Sequence, residues 1–252
     1  MLSGSSCLSL GGVQRADTLG KGNFQIGIEP GAWGLVSSAG SVFLPTVDFS
    51  GRYGIAERVD LGLRLGSTGL EFQSKFLLSE PGSPTFAMSL APTFGGFFLG
   101  SINYAALNVP LLLGFKFGDN ELTLGPRMIA QFLFGGTSAG SAGGAVVAPG
   151  ASVGFAWQVA ERFALIPELT FAVPVVGVLA ASGATTTGGA VGAVIPAVQF
   201  KLGLAFGKVR ARQIDDVLNA PPPPPLDQPL PPPPPPMGPN APTPPPMPPP
   251  SN

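Results

Sequence analysis

Apolar and polar side chains alternate one by one along the stretch from Pro45 to Leu78. The apolar side of its first run consists of Val47, Phe49, Gly51, Tyr53 and Ile55. The residues between them include Asp48 and Arg52, and the same alternation resumes after a polar break at 56–58. A period of two predicts β-strands, and short polar breaks between such runs predict hairpins.

The period-two pattern recurs in ten segments of the chain. Their ranges are 22–29, 47–55, 59–66, 70–78, 85–98, 102–117, 121–134, 151–159, 163–173 and 194–206. Every second connection is short and polar: 56–58, 79–84, 118–120 and 160–162. The first, seventh and ninth connections are the longest, and all three fall on the opposite parity. An even number of strands, with short turns at one end and longer loops at the other, is typical of membrane β-barrels.

Composition decides which face of these strands meets water. Only 11% of the 252 residues are charged, against about 25% in an ordinary soluble domain. Because the charged side chains are interleaved with apolar ones, they fall on a single, inward face, and only lipid makes such an inverted protein favourable. The best candidate for a helical span, the charge-free stretch between Glu168 and Lys201, is interrupted by Pro174, Pro196 and SGATTTGG (182–189), so no helical span of about 20 apolar residues is predicted.

Three segments carry a resemblance to a known class of protein. RYGIAERVDLGLRLG (52–66), VAERFALIPELTF (159–171) and VQFKLGLAF (198–206) resemble the hairpins of Gram-negative outer-membrane β-barrel proteins, of the porin-like or OmpA-like kind. Phe206 resembles the aromatic residue that ends their closing strand, although 46 residues follow it here. The resemblance covers residues 22–206. It implies an antiparallel up-and-down transmembrane barrel of about ten strands in the outer membrane, with both chain termini in the periplasm.

The regions outside the barrel have their own composition. Residues 1–21 are predicted to be an N-terminal export or anchor remnant, in which Cys7 follows two serines and faintly resembles a lipidation site. Lipidation of Cys7 and a plain unpaired thiol both remain open. Residues 207–220 are predicted to form a linker or short helix. Residues 221–252 hold 20 of the 31 prolines and are predicted to be a disordered polyproline tail, either a spacer or a ligand for a periplasmic or cell-wall partner.

The available side chains exclude several kinds of chemistry. The chain has no histidine, on which outer-membrane barrel proteases, phospholipases and lipid A deacylases rely as families. A single cysteine cannot form an intrachain disulfide or a thiolate cluster. The net charge of −1 does not favour nucleic acid. We therefore expect no cofactor, no metal site and no enzymatic activity, and outer-membrane lipid as the main partner.

The remaining candidate site is the row of charged residues on the predicted inner face. It consists of Glu29, Asp48, Arg52, Arg64, Glu71, Lys75, Lys116, Glu121, Arg127, Glu168 and Lys201. If these acids and bases pair, they fill a narrow barrel and the protein is a structural envelope protein. If they do not, they line a narrow passive pore for small polar solutes. A third alternative, a soluble ligand-binding β-barrel, requires the two faces to be reversed.

Four prolines conflict with uninterrupted strands. Pro92, Pro110, Pro126 and Pro167 lie within predicted strands, where each removes a hydrogen-bond donor that lipid cannot replace. We expect them at bulges or in parts of strands beyond the membrane. Trp33 is expected in the first external loop, as an interfacial anchor or a ligand contact.

Overall fold

The computed structural model describes residue 10 and residues 12–37, 40–67, 69–99, 102–137, 140–181, 184–186 and 196–207. The chain divides into two compact units, Met1–Leu218 and Asn219–Asn252, and the second lies wholly outside the described residues. The predictions for Cys7, for residues 208–220 and for the polyproline tail also fall outside them. No helix in the described part of the chain is long and apolar enough to cross a membrane.

Thirteen β-strands lie within the described residues. In chain order they are β1 (Phe24–Ser37), β2 (Gly40–Ala56), β3 (Val59–Gly66), β4 (Gly69–Leu77), β5 (Phe86–Leu90), β6 (Thr93–Leu99), β7 (Ile102–Phe117), β8 (Asn120–Thr137), β9 (Gly140–Ala160), β10 (Phe163–Ala172), β11 (Val176–Ala181), β12 (Ala184–Thr186) and β13 (Ala197–Gly207).

These strands form one closed antiparallel barrel. From β1 to β10 each barrel strand pairs with the next, with β5 and β6 taken as one strand, and β13 closes the ring by pairing with both β10 and β1. β5 and β6 together make one barrel strand, interrupted at Ala91 and Pro92, because both lie between β4 and β7. β11 and β12 extend the sheet beside the outer part of β9. The barrel therefore has ten strands, which confirms the predicted all-β, up-and-down fold.

The two ends of the barrel differ in their connections. We call the end with the turns at 57–58, 78–85, 118–119 and 161–162 the turn end, and the opposite end the loop end. The prediction that the first and seventh connections are long loops is wrong. β1 and β2 pair as far as Ser37 and Gly40, and β8 and β9 pair as far as Thr137 and Gly140. Backbone hydrogen bonds form the ladder there although the glycine-rich and serine-rich sequence has no clear alternation.

Pro92 lies in the break between β5 and β6, whereas Pro110, Pro126 and Pro167 lie inside strands and interrupt the ladder on one side only. Pro126 pairs with Ala151 of β9, while the register between β7 and β8 omits Gly125 and Pro126. Pro167 likewise pairs with Leu202 of β13 and is absent from the register with β9. An antiparallel residue hydrogen-bonds to one neighbour at a time, so a missing N–H affects a single ladder. The expectation that Pro126 and Pro167 lie at bulges is thus wrong, because the register is the same on both sides of each proline.

The outer and inner faces of the barrel have opposite chemistry. Large apolar side chains cover the outside, and Phe72 is 63% exposed there, whereas Arg64 on the inside is 1% exposed. Trp33, expected in a loop, lies in β1 and is buried. The inward residues alternate strictly with the outward ones because the side-chain period of a strand is two.

Candidate functional site: the barrel lumen

All eleven charged residues of the predicted inner row have side chains turned away from the outer surface. Ten of them are buried as whole residues, and the side chain of the eleventh, Lys116, is 4% exposed. The buried set also includes Asp60 of β3, which the prediction omitted. Among the described residues, the barrel wall therefore presents six carboxylates and six basic side chains to the lumen, so its charges are able to pair.

The centre of the lumen contains five of these residues in one ion-pair network. Lys201 Nζ lies 2.6 Å from Asp48 Oδ2 and 3.4 Å from Glu29 Oε2. Arg64 forms an ion pair with Glu71 and lies 3.7 Å from Glu29 Oε2. Glu29 thus connects two cations contributed by different strands. Ion pairs of this kind withstand burial because each charge has an opposite charge or a hydrogen-bond partner within reach.

Two further pairs extend the network around the wall. Arg127 lies 3.4 Å from Glu168 Oε1 and donates a hydrogen bond to Ser152. Nearer the turn end, Arg52 donates to Asp60 Oδ2 over 2.8 Å. The alternation of Asp60 with Arg64 along β3 is the sequence signal that places both on the inner face.

The lumen also contains a stretch of the chain itself. Residue 10 and residues 12–19, which we call the lumen segment, lie inside the barrel. Thr18 donates to the Glu57 carbonyl at the turn end, while Leu10 packs deep inside against Ile129 of β8 and Ala172 of β10. Part of the region predicted as an export or anchor remnant therefore lies within the barrel.

Side chains of the wall hold the backbone of the lumen segment. The N–H groups of Val13, Ala16 and Leu19 donate to carboxylates of Glu29, Glu121 and Asp60, at 3.5, 2.6 and 3.1 Å respectively. Lys75 Nζ donates to the carbonyls of Arg15 and Asp17 at 2.6 and 3.0 Å. Arg127 and Asn108 both donate to the Leu10 carbonyl. Hydrogen bonds with a charged partner contribute about 1.5–3 kcal/mol each, so these contacts define one position for the segment.

Ion pairs and apolar contacts complete the seating of the segment. Arg15 Nε lies 3.6 Å from Glu121, and Asp17 lies 2.6 Å from Lys116 Nζ. The apolar contacts comprise three buried clusters: Leu10 with Ile129, Ala148, Ala172 and Ala197; Val13 with Ala156, Ala164, Ile166 and Ala205; and Ala16 with Leu77, Ala87, Ala91 and Leu112. Small inward residues thus leave room for each apolar side chain of the segment.

Sequence reasoning missed this segment because it has no strand or helix period. Its apolar residues recur at every third position, as Leu10, Val13, Ala16 and Leu19, and all four are buried. That spacing was the available signal. The segment also accounts for the many small inward residues of the wall, among them Gly114 and Gly203, which the alternation alone leaves unexplained.

Within the described ranges, no group of three or more histidine, cysteine, aspartate or glutamate residues has metal-binding geometry. At the turn end, a polar cavity of about 140 Å³ lies beside Asp17, Thr18 and Glu57, at the mouth of the lumen. The chemistry that the lumen supports is ion pairing and hydrogen bonding to a peptide backbone.

Comparisons with known proteins concern the fold. No protein-family model matches the chain, and no curated protein matches it. Solved structures with a similar fold include Neisserial surface protein A, at 10% identity and a TM-score of 0.39, covering 73% of this chain and 96% of that one. For the outer membrane protease OmpT from Escherichia coli, the identity is 11% and the TM-score 0.42, with 76% of this chain and 99% of that one covered. For the outer membrane protein OprG from Pseudomonas aeruginosa, the identity is 10% and the TM-score 0.33, with 77% of this chain and 99% of that one covered. At these identities the likeness is one of fold alone.

Proposed function

We propose that this protein is a non-enzymatic integral barrel of the outer membrane of a Gram-negative bacterium, closed by its own lumen segment and serving a structural role in the envelope. The observation that carries the proposal is the position of the lumen segment. It fills the interior through which a solute would have to pass.

The polarity of the barrel supports a membrane location. Phe72 and Leu65 are more than 60% exposed on the outer face, whereas Arg64 and Glu121 inside are 1% exposed. Exposing such a continuous apolar surface to water is unfavourable at about 25 cal/mol per Å², whereas contact with lipid removes that cost. A soluble ligand-binding barrel would need the reverse arrangement, and this disfavours that alternative.

Strand length and aromatic position agree with a bilayer. A tilted spanning strand needs roughly 9–11 residues, and β4, β10 and β13 have 9, 10 and 11. Tyr53 and Trp157 are about half exposed near the turn end of β2 and β9. Tyrosine and tryptophan favour the membrane interface, so the turn end of the barrel lies at one surface of the bilayer.

Orientation follows from the connections. We place the turn end in the periplasm, because outer-membrane barrels have short periplasmic turns and extend further on the external side. At the loop end, the β1–β2 hairpin extends beyond Asp48, where β3 ends its pairing, and the β8–β9 hairpin extends beyond Gly150, where β10 ends its pairing. The start of β1 and the end of β13 both lie at that end, since Gln25 pairs with Gly207. The polyproline tail then begins in the periplasm, where a cell-wall or periplasmic partner would be within its reach.

A passive pore and an enzyme are both disfavoured, because the charged side chains of the lumen are paired and covered. Most inward acids and bases of the wall are engaged in the ion pairs and hydrogen bonds described above, and the lumen segment covers their inner side. A catalytic acid or base needs access to substrate, and a porin needs a continuous water path. The sequence also contains no histidine.

Planar-bilayer conductance of the purified full-length protein tests this proposal. We expect no unitary steps, while the same preparation partitions into detergent and shows heat-modifiable gel mobility, the property of a folded membrane barrel. Stable conductance steps would contradict a closed lumen. Partition into the aqueous phase with no heat-modifiable band would contradict the membrane location itself.

A further inference from the structure

The lumen recognises the backbone of its segment in a regular way. The three N–H groups that donate to wall carboxylates belong to Val13, Ala16 and Leu19, three residues apart. No residue of the segment is in a strand or helix, and the chain bends at Ala16 and Asp17, so these backbone groups bind the wall and not one another. Backbone contacts of this kind place no demand on the side chains of the segment.

Side-chain selection comes from the apolar side chains of the same residues. A Cβ atom added at Gly114 would lie 2.7 Å from Ala16 Cβ, and one added at Gly203 would lie 2.8 Å from Val13 Cγ1. Both wall positions are therefore filled to contact by the segment. The site admits an alanine at position 16 and a valine at position 13, and it excludes larger residues, because overpacking a buried site is destabilising.

Charges at two positions determine the register. Arg15 faces Glu121 and also donates to the Asp119 carbonyl at 2.5 Å, whereas Asp17 faces Lys116. A shift of the segment by one residue would place neutral residues opposite Glu121 and Lys116, and a shift by two would bring either Asp17 to Glu121 or Arg15 to Lys116. The lumen thus contains carboxylates that bind the backbone of the segment, apolar sites of limited size, and two wall charges of opposite sign in a fixed order.

We propose that the lumen is a binding site for a peptide without regular secondary structure, with small or aliphatic residues at every third position, and that the lumen segment occupies it as an intramolecular ligand. A free peptide of the same sequence then competes for the site. This inference rests on the proposed closed barrel and adds a ligand class to it: closure requires only an obstruction, whereas a receptor site requires saturable and sequence-dependent binding.

Lys21 allows the inference to be tested in the folded protein. It is exposed at the turn end, just beyond the segment, whereas Lys75 and Lys201 are buried and the side chain of Lys116 is 4% exposed. A lysine-specific endoprotease applied to the full-length Lys208→Arg protein in detergent micelles therefore has Lys21 as its accessible site. Cleavage makes the segment a non-covalent ligand, and a fluorescent synthetic peptide LGGVQRADTLGK, residues 10–21, is then added.

We expect saturable binding of this peptide to the cleaved barrel, with displacement of the native fragment seen by mass spectrometry. A peptide with Ala16→Trp should bind roughly tenfold more weakly or worse, since overpacking opposes its seating. The matched control is the Lys21→Arg, Lys208→Arg protein, which keeps its segment covalently attached and should bind no peptide. Equal binding by the control, or equal affinity for both peptides, would overturn the inference.

A second variant tests the inference without a protease, in case Lys21 resists cleavage. In the full-length Val13→Trp, Ala16→Trp protein, the oversized side chains prevent the segment from seating, so the labelled peptide should bind without any protease. No binding to a heat-modifiable, folded barrel of this variant would also overturn the inference. If the parent protein also lacks heat-modifiable mobility and detergent partition, the proposed membrane barrel is contradicted, which is distinct from a failure of the peptide site.

Discussion

Replacing Lys201 with methionine removes the cation at the centre of the lumen network while keeping a side chain of similar length. Lys201 Nζ lies 2.6 Å from Asp48 Oδ2 and 3.4 Å from Glu29 Oε2, and the side chains of all three are at most 4% exposed. Asp48 and Glu29 are directly opposite each other in the β1–β2 ladder. Lys201→Met therefore leaves two facing carboxylates in a dry interior, with Arg64 at 3.7 Å from Glu29 as the remaining nearby cation.

The expected loss in the free energy of unfolding is about 3–5 kcal/mol, the usual cost of removing one partner from a buried ion pair. The measurement is urea unfolding of the protein in phospholipid vesicles, followed by tryptophan fluorescence. Lys21→Met is the matched control, because Lys21 is exposed at the turn end. It should change the free energy by less than about 0.5 kcal/mol.

A double-mutant cycle separates the ion pair from packing. Asp48→Asn combined with Lys201→Met should recover part of the loss, since the double variant buries one carboxylate fewer than Lys201→Met alone. A loss below about 1 kcal/mol for Lys201→Met would refute the reasoning. That value is typical of solvated ion pairs and would mean that water fills the lumen.

Three further predictions address the two faces of the barrel and the tail. Gly203→Val should displace the lumen segment, because a Cβ atom at position 203 would lie 2.8 Å from Val13, and tryptic cleavage after the buried Arg15 should therefore be faster. The control Gly51→Val, whose added side chain faces outward into open space, should leave the cleavage rate unchanged. Equal cleavage rates for the two variants would contradict the proposed position of the segment. In a Cys7→Ser background, Phe72→Cys in vesicles should resist a membrane-impermeant maleimide whereas Lys21→Cys reacts; rapid labelling at 72 would place that face in water. Deleting residues 221–252 should leave heat-modifiable mobility unchanged and remove a co-purifying envelope protein, and an unchanged set of co-purifying proteins would exclude a partner of the tail.

The predicted strands agree with the structure wherever side chains alternate clearly. The run from Val59 to Gly66 was predicted as a strand and is β3, because each residue there has a distinct apolar or polar preference. The hairpin at Ser37 and Gly40 was predicted as a loop. Serine and glycine carry no such preference, and pairing of the backbone alone decides the structure at that position. Pro126 and Pro167 were expected at bulges or beyond the membrane because a single sequence does not reveal which of the two ladders needs the missing N–H.

The sequence by itself determined the period of the strands, the inward row of charges and the absence of histidine, because these are local properties that each residue carries into any fold. Only the tertiary structure decided that Leu10 to Leu19 occupy the interior. Residues such as Val13 and Gly203 are 190 positions apart, and their fit exists only after the barrel has closed. A segment without a regular period takes its conformation from the walls that surround it, so its place becomes visible only when those walls are present.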